Sequence, residues 1–430
     1  MERSSQPVLR HLPVVLRRFI YGTMALAAMC VGAVEYCKYV MHLTYPYDAI
    51  TLLPRYIDHD YWMFTDRFHN FHSTTFFTAH AQFLFGYPAP IAVLYKLIYV
   101  LTKEATRPFV AVMALAFIAV AVLFGRALLK ANVALGPVVA LTAAALLLSD
   151  PIWFELNRGN MEFFVWIFVT WGIWLHFRGK GYEAAACFGI AGSMKVFPFV
   201  LVGLLIAKKQ YRQMLFGFAV AAVVTVISLW ILCPDILFAW RSLNSASPEF
   251  TRQYLLQRLW LEVGFDHSLF ALIKMLWRQL PGQAGMYRLL YTYMVVSAVG
   301  GTVLFFTRIR YLPQVNQVIC LTVAAVLLPP SSSDYTLMHL YASWAALVFL
   351  AVYAARAGKK VPGLKAAFVC LTILFSPESE FFFRHERAEG MIKATALLAL
   401  WYIAMKYPFE LQPAEPLSAR RTTDLEEATT

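Results

Sequence analysis

The run from Pro108 to Phe124 holds no charge and no alternation of polar with apolar residues, and similar runs recur along the chain. A membrane-spanning β-strand alternates between its lipid and lumen faces. An unbroken apolar run in lipid satisfies its own backbone only as a helix. The chain is 60% hydrophobic and 14% charged, whereas a soluble domain has roughly 45–50% and 25%. It therefore reads as an all-α polytopic membrane protein, a single helical bundle with room for about ten spans.

The net charge of +12 collects in connectors. Arg126 with Lys130, Arg178 with Lys180, Lys208 with Lys209 and Arg212, Arg308 with Arg310, and Arg356 with Lys359 and Lys360 each separate two apolar stretches. The positive-inside rule puts such connectors in the cytoplasm, and no basic domain is present to bind nucleic acid. The spans that fit between them are 19–41, 108–124, 133–148, 161–177, 214–232, 289–307, 317–328, 337–353, 364–376 and 391–405. This makes one transmembrane domain over residues 1–407, with long outer loops at about 42–107 and 233–286 and both termini inside. The polar tail 408–430 reads as disordered. Arg3, Arg10, Arg17 and Arg18 before the first run resemble a signal peptide, but the spans that follow favour an uncleaved first helix.

Two apolar stretches stay outside the count. Pro90–Leu101, behind Tyr87-Pro88-Ala89-Pro90, would invert Arg126, Lys130, Arg178 and Lys180 together if it crossed, so it reads as re-entrant or interfacial. Tyr182–Ile206 lies between two cationic connectors and is broken by Ser193-Met194-Lys195-Val196-Phe197-Pro198. Two half-helices meeting at the break keep both connectors on one side and turn Lys195 into the bundle, where it needs a counter-ion that a lipid phosphate would supply. Arg384 and Arg387 fall in a short outer connector, against the trend. The six cysteines sit in or beside apolar segments without a C-x-x-C pair and read as small core residues.

Polar groups at membrane depth are costly and mark function. Phe64-Thr65-Asp66-Arg67-Phe68, Arg158-Gly159-Asn160-Met161-Glu162 and Pro330-Ser331-Ser332-Ser333-Asp334-Tyr335 all fall on the outer side. Asp48 and Asp66 lie among aromatics, where desolvation suits a carboxylate to act as a general base. Asp58-His59-Asp60 has metal-ligand residue types, but neighbours in sequence seldom point at one ion, so no metal or other cofactor is expected. Gly159 allows close approach, Asn160 can cap the next helix, and the amides there with the Arg158 guanidinium suit an anion. Asp334 either caps a helix or joins the site. A carboxylate, an arginine, a lysine and helix N-termini on one face meet the needs of sugar transfer from a polyprenyl phosphate. A transporter or flippase also uses broken helices and polar groups at depth; a purely structural role leaves the polar clusters unexplained.

Phe85-Gly86-Tyr87-Pro88-Ala89-Pro90 resembles the aromatic-Tyr-Pro-Pro helix start of glycosyltransferase family 87, with Ala89 in place of a second consecutive proline. The Arg-Gly-Asn turn at Arg158, the Lys-x-x-Pro break at Lys195, Asp266-His267-Ser268-Leu269 and the serine-rich turn before Asp334 resemble further elements of that family. The resemblance implies a GT-C-like fold in a bacterial inner membrane. It also implies inverting transfer, expected to be of mannose, from a polyprenyl-phosphate sugar to a lipid-linked or glycan acceptor. A first-loop aspartate would be the base, Asp66 by local pattern or Asp48 by position. Tyr87, Arg158, Asn160, Glu162, Lys195, His267, Ser333 and Asp334 would bind substrate.

Overall fold

The computed structural model describes residues 8–42, 65–78, 86–102, 106–256, 266–276, 282–376 and 386–410. The described residues are almost entirely helical and contain no strand. Helices of eight or more residues are α1 Val14–Tyr39, α2 Ala89–Thr102, α3 Thr106–Lys130, α4 Leu135–Leu147, α5 Asp150–Arg158, α6 Glu162–Phe177 and α7 Gly181–Met194. They continue with α8 Tyr211–Leu232, α9 Ile236–Phe250, α10 Leu269–Leu276, α11 Gln283–Thr307, α12 Gln314–Leu327, α13 Leu340–Arg356, α14 Leu364–Leu374 and α15 Glu386–Lys406. A 3-10 helix, Asp334–His339, leads into α13.

Each of the ten expected spans falls on a helix, but the helices differ in reach. Among the described residues five are long and apolar enough to cross alone: Val14–Ala33, Phe109–Lys130, Tyr211–Leu232, Ala284–Tyr311 and Asp334–Arg356. α4 joins α5 through a 51° bend, and Glu162–Phe177, Gln314–Leu327 and Leu364–Leu374 are shorter apolar helices. α1 starts earlier than expected, so Arg17 and Arg18 lie within it, after Pro13 has set the extended entry. The two stretches expected as outer loops are not plain connectors: the second contains α9 and α10, and the first contains α2, on the stretch read as re-entrant or interfacial.

The cationic connectors meet at one end of the bundle. Leu9 pairs with Asn132 and Ala134 through backbone hydrogen bonds of 2.9 and 3.1 Å. Arg356 donates to the Ala131 carbonyl. Lys208 Nζ lies 3.5 Å from His176 O. Arg308 donates to Met405 O at 2.9 Å, Asn316 donates to Tyr407 O at 2.7 Å, and Gly363 packs on the Tyr407 ring. The other helix ends meet far from these, as in Ser73 N to Leu232 O at 3.1 Å and Asp150 N to Phe375 O at 3.1 Å.

The break in the Tyr182–Ile206 stretch is present. α7 ends at Met194, Lys195 is extended, and a 3-10 helix Phe197–Val202 runs into the short helix Gly203–Ala207. Pro198 has no amide to continue α7 and disfavours helix before it. The returning arm reaches the face it left, because Gly181 at the start of α7 lies against Gln210, just beyond the arm. α7 also crosses α8 backbone to backbone. Ala185 and Gly189 on α7 meet Gly217 and Ala221 on α8, the small-x-x-x-small pattern of close membrane crossings. A Cβ on Gly189 would sit 2.2 Å from the Gly217 carbonyl oxygen, whereas one on Gly300 would meet nothing within 4 Å. Gly189→Ala should therefore destabilise the detergent-solubilised protein by about 1–3 kcal/mol, read as a lower unfolding temperature. Gly300→Ala should be neutral or slightly stabilising.

Candidate functional site

α4 has 13 residues and α6 has 16, so each advances only about 20–24 Å from the cationic end at 1.5 Å per residue. Their far ends stop short of a hydrocarbon core about 30 Å thick. Polar groups there need partners inside the protein.

The turn between α5 and α6 is built by its own side chains. α5 ends at Gly159, whose φ of 58° is left-handed and terminates the helix. Asn160 Oδ1 accepts from Glu162 N at 2.9 Å, and Glu155 Oε1 accepts from Phe163 N at 2.9 Å. Asn160 lies one residue before the N-cap, Met161, and bonds the first amide of α6, so the expectations of Asn160 as the N-cap and of free amides for an anion are both corrected. Two of the first-turn donors are already used by side chains.

Glu162 is fully enclosed. Its Oε2 pairs with Lys195 Nζ, and its Oε1 accepts from His339 Nε2 at 2.7 Å. The counter-ion of Lys195 is therefore a protein carboxylate rather than a lipid phosphate. The Lys195 side chain keeps 17% exposure. Its ammonium also lies 5.0 Å from the centre of the Tyr335 ring. Tyr335 stacks on Phe154 with centroids 6.0 Å apart, and the Arg158 guanidinium lies 5.9 Å from the Phe154 centroid. Arg158, Phe154, Tyr335 and Lys195 thus form a continuous chain of cation–π and ring contacts.

A second buried network begins at the other end of the 3-10 helix. Asp334 does not merely cap it: Oδ1 binds Lys393 Nζ at 2.7 Å and faces His267 Nδ1 at 3.5 Å. Lys393 also lies 3.6 Å from Asp150 Oδ2. His267 Nε2 lies 3.1 Å from Ser332 Oγ and 3.3 Å from Thr336 Oγ1. Asp266 Oδ1 accepts from the amides of Ser268 and Ser332, both at 2.9 Å. Ser333 contributes its carbonyl, which accepts from Thr336 N at 2.9 Å.

The structure therefore brings Tyr87, Arg158, Asn160, Glu162 and Lys195 together, with Asn160 Nδ2 donating to the Tyr87 hydroxyl at 3.3 Å. His267, Ser333 and Asp334 form the adjoining cluster. Of the two candidate bases, Asp48 lies outside the described residues, as do Asp58, His59 and Asp60. The backbone of Asp66 lies in a 3-10 helix, Thr65–Asn70. Phe68 of that helix packs on Tyr95, with centroids 6.0 Å apart, and Tyr95 donates to Gly159 O at 3.4 Å. One aromatic residue thus separates this segment from the Arg-Gly-Asn turn. His339 and Lys393 were not read from the sequence as site residues. His339 is an isolated ionisable group inside an apolar run, the signal that marks buried function in a membrane, whereas Lys393 stands at the start of the last apolar run, close behind Arg387 and Glu389.

The profile of glycosyltransferase family 87 matches residues 85–332, more than half of the chain. The matched segment includes Tyr87, Arg158, Asn160, Glu162, Lys195 and His267; Asp66 precedes it, and Asp334, His339 and Lys393 follow it. Neither the curated proteins nor the solved structures contain a match. The helical membrane bundle and the family match together decide for an enzyme over a transporter or a scaffold: this chain belongs to glycosyltransferase family 87.

Proposed function

We propose that this membrane glycosyltransferase moves mannose from a polyprenyl-phosphate donor to a lipid-linked or glycan acceptor on the extracytoplasmic face. The observation that carries the reading is the pair of cations, Lys195 and Arg158, held on an aromatic pair at the end of the bundle opposite the cationic connectors. A cationic end belongs in the cytoplasm, which supports an extracytoplasmic place for the pair. An ammonium and a guanidinium at a partly apolar site suit a phosphate attached to a lipid. Glu162 and His339 hold the Lys195 ammonium in place. Asn160 and Tyr87 shape the neighbouring turn.

In this scheme Asp66 takes the proton from the acceptor hydroxyl. The acceptor oxygen forms a bond to the anomeric carbon as the bond from that carbon to the phosphate oxygen breaks, inverting the centre. The electron pair leaves with polyprenyl phosphate, whose growing charge meets Lys195 and Arg158.

Asp66→Asn should lower transfer in membranes by roughly 10²- to 10⁴-fold, the contribution of a general base, with expression intact. Full activity there moves the assignment to Asp48, and an active Asp48→Asn as well removes the aspartate base. Arg158→Ala should raise the donor KM roughly tenfold or more. Lys195→Ala is best paired with Glu162→Gln, since loss of the ammonium alone strands an enclosed carboxylate at about 3–5 kcal/mol. An unchanged donor KM in both would refute the phosphate role. A screen of polyprenyl-phosphate sugars, followed by linkage analysis, identifies the sugar. For sidedness, a membrane-impermeant maleimide on intact cells should label Thr74→Cys and spare Lys130→Cys; the reverse pattern would overturn the orientation.

A further inference from the structure

The charges on Asp150, Asp334 and Lys393 have no part in this scheme, yet all three lie inside the bundle. Lys393 is 2% exposed and sits between two carboxylates, at 2.7 Å from Asp334 and 3.6 Å from Asp150. The carboxylates occupy equivalent places: Asp150 is the first residue of α5, and Asp334 is the first residue of the 3-10 helix. These two elements pack on each other. On α5 the residues Asp150, Phe154 and Arg158 are spaced four apart, so they share one face. On the 3-10 helix Tyr335 follows Asp334 directly. Lys393 therefore joins the two elements at their starts, and one turn further along α5 they are joined again by the Phe154–Tyr335 stack. Arg158 packs on the first ring and Lys195 on the second.

Without the ammonium, the bridge between the two carboxylates across this junction is lost. The starts of α5 and the 3-10 helix would separate, the ring stack would open, and the two cations would lose their fixed spacing. We propose that Lys393, on the last helix and beyond the segment matched by the family, is a positioning residue: by clamping Asp150 to Asp334 it sets the spacing of Arg158 and Lys195 that receives the donor phosphate. The proposal rests on the reading of those two residues as phosphate-binding cations.

The test uses the full-length protein purified in detergent, with undecaprenyl phosphate as the binding probe and steady-state transfer as the second readout. Lys393→Met should weaken probe binding and raise the donor KM together, by roughly tenfold, with kcat and the acceptor KM nearly unchanged. Lys393→Arg, which keeps the charge, should recover most of the affinity. A fall in unfolding temperature with no change in probe binding would make Lys393 structural only and would overturn the proposal. Because Lys393→Met strands two carboxylates, the combination Asp150→Asn, Asp334→Asn and Lys393→Met removes all three charges together, a change that buried ion clusters often tolerate. It should fold and show the same loss of donor affinity; wild-type affinity there overturns the clamp. If neither variant folds, Tyr335→Leu, which cuts the ring path to Lys195, decides by the same titration, and unchanged binding rules out the relay. Arg158→Ala separates the two levels. If it leaves probe binding unchanged, the phosphate reading fails and takes this proposal with it; if it weakens binding while Lys393→Met does not, only the clamp fails.

Discussion

The far half of this bundle is governed by the cost of holding an ionised group away from water. An unpaired charge there costs several kcal/mol, so each buried carboxylate of the site is matched by a cation or a set of donors. Glu162 is shared by Lys195 and His339. Asp334 is shared by Lys393 and His267, and Asp266 is met by two backbone amides. These pairings fix which helix ends can approach one another. The Lys195–Glu162 pair holds the end of α7 against the start of α6, and Lys393 holds the last helix against α5 and the 3-10 helix.

Close backbone approach makes that pairing reachable. Ala185, Gly189, Gly217 and Ala221 let α7 and α8 touch with no side chain between them. Pro198 then stops the inward arm, so Lys195 lies in extended chain at the tip. A continuous helix through this point would carry Lys195 past Glu162, and the ion pair between them would be lost.

Local features of the chain were legible, and distant pairings were not. Unbroken apolar runs identify helices because lipid leaves the backbone no other partner. The cationic connectors identify a common end, and the Lys-x-x-Pro spacing identifies the break. A local bond from Asn160 to the start of α6 was recognisable because its partner is two residues away. The role of Glu162 as counter-ion to Lys195 depends on a contact across 33 positions, His339 reaches Glu162 across 177, and Lys393 reaches Asp334 across 59. No periodicity encodes such contacts. The anion site expected at the start of α6 failed for a related reason: Glu155 lies in the preceding helix, and only the left-handed turn at Gly159 folds it back onto Phe163 N.

The six residues from Asp334 to His339 explain how separate clusters become one site. A 3-10 helix has three residues per turn, so successive side chains leave in three directions and every third shares a face. Asp334 points to Lys393, and Tyr335 points to Lys195 and Phe154. Thr336 and His339 share the third face, meeting His267 at one level and Glu162 at the next. In an α-helix successive residues are about 100° apart, so Thr336 and His339 would be offset by about 60° around the axis instead of eclipsed. The tighter helix lets one short segment brace three parts of the bundle at once. It also makes the segment intolerant of a change in register, since a shift of one residue would rotate every contact to the wrong neighbour.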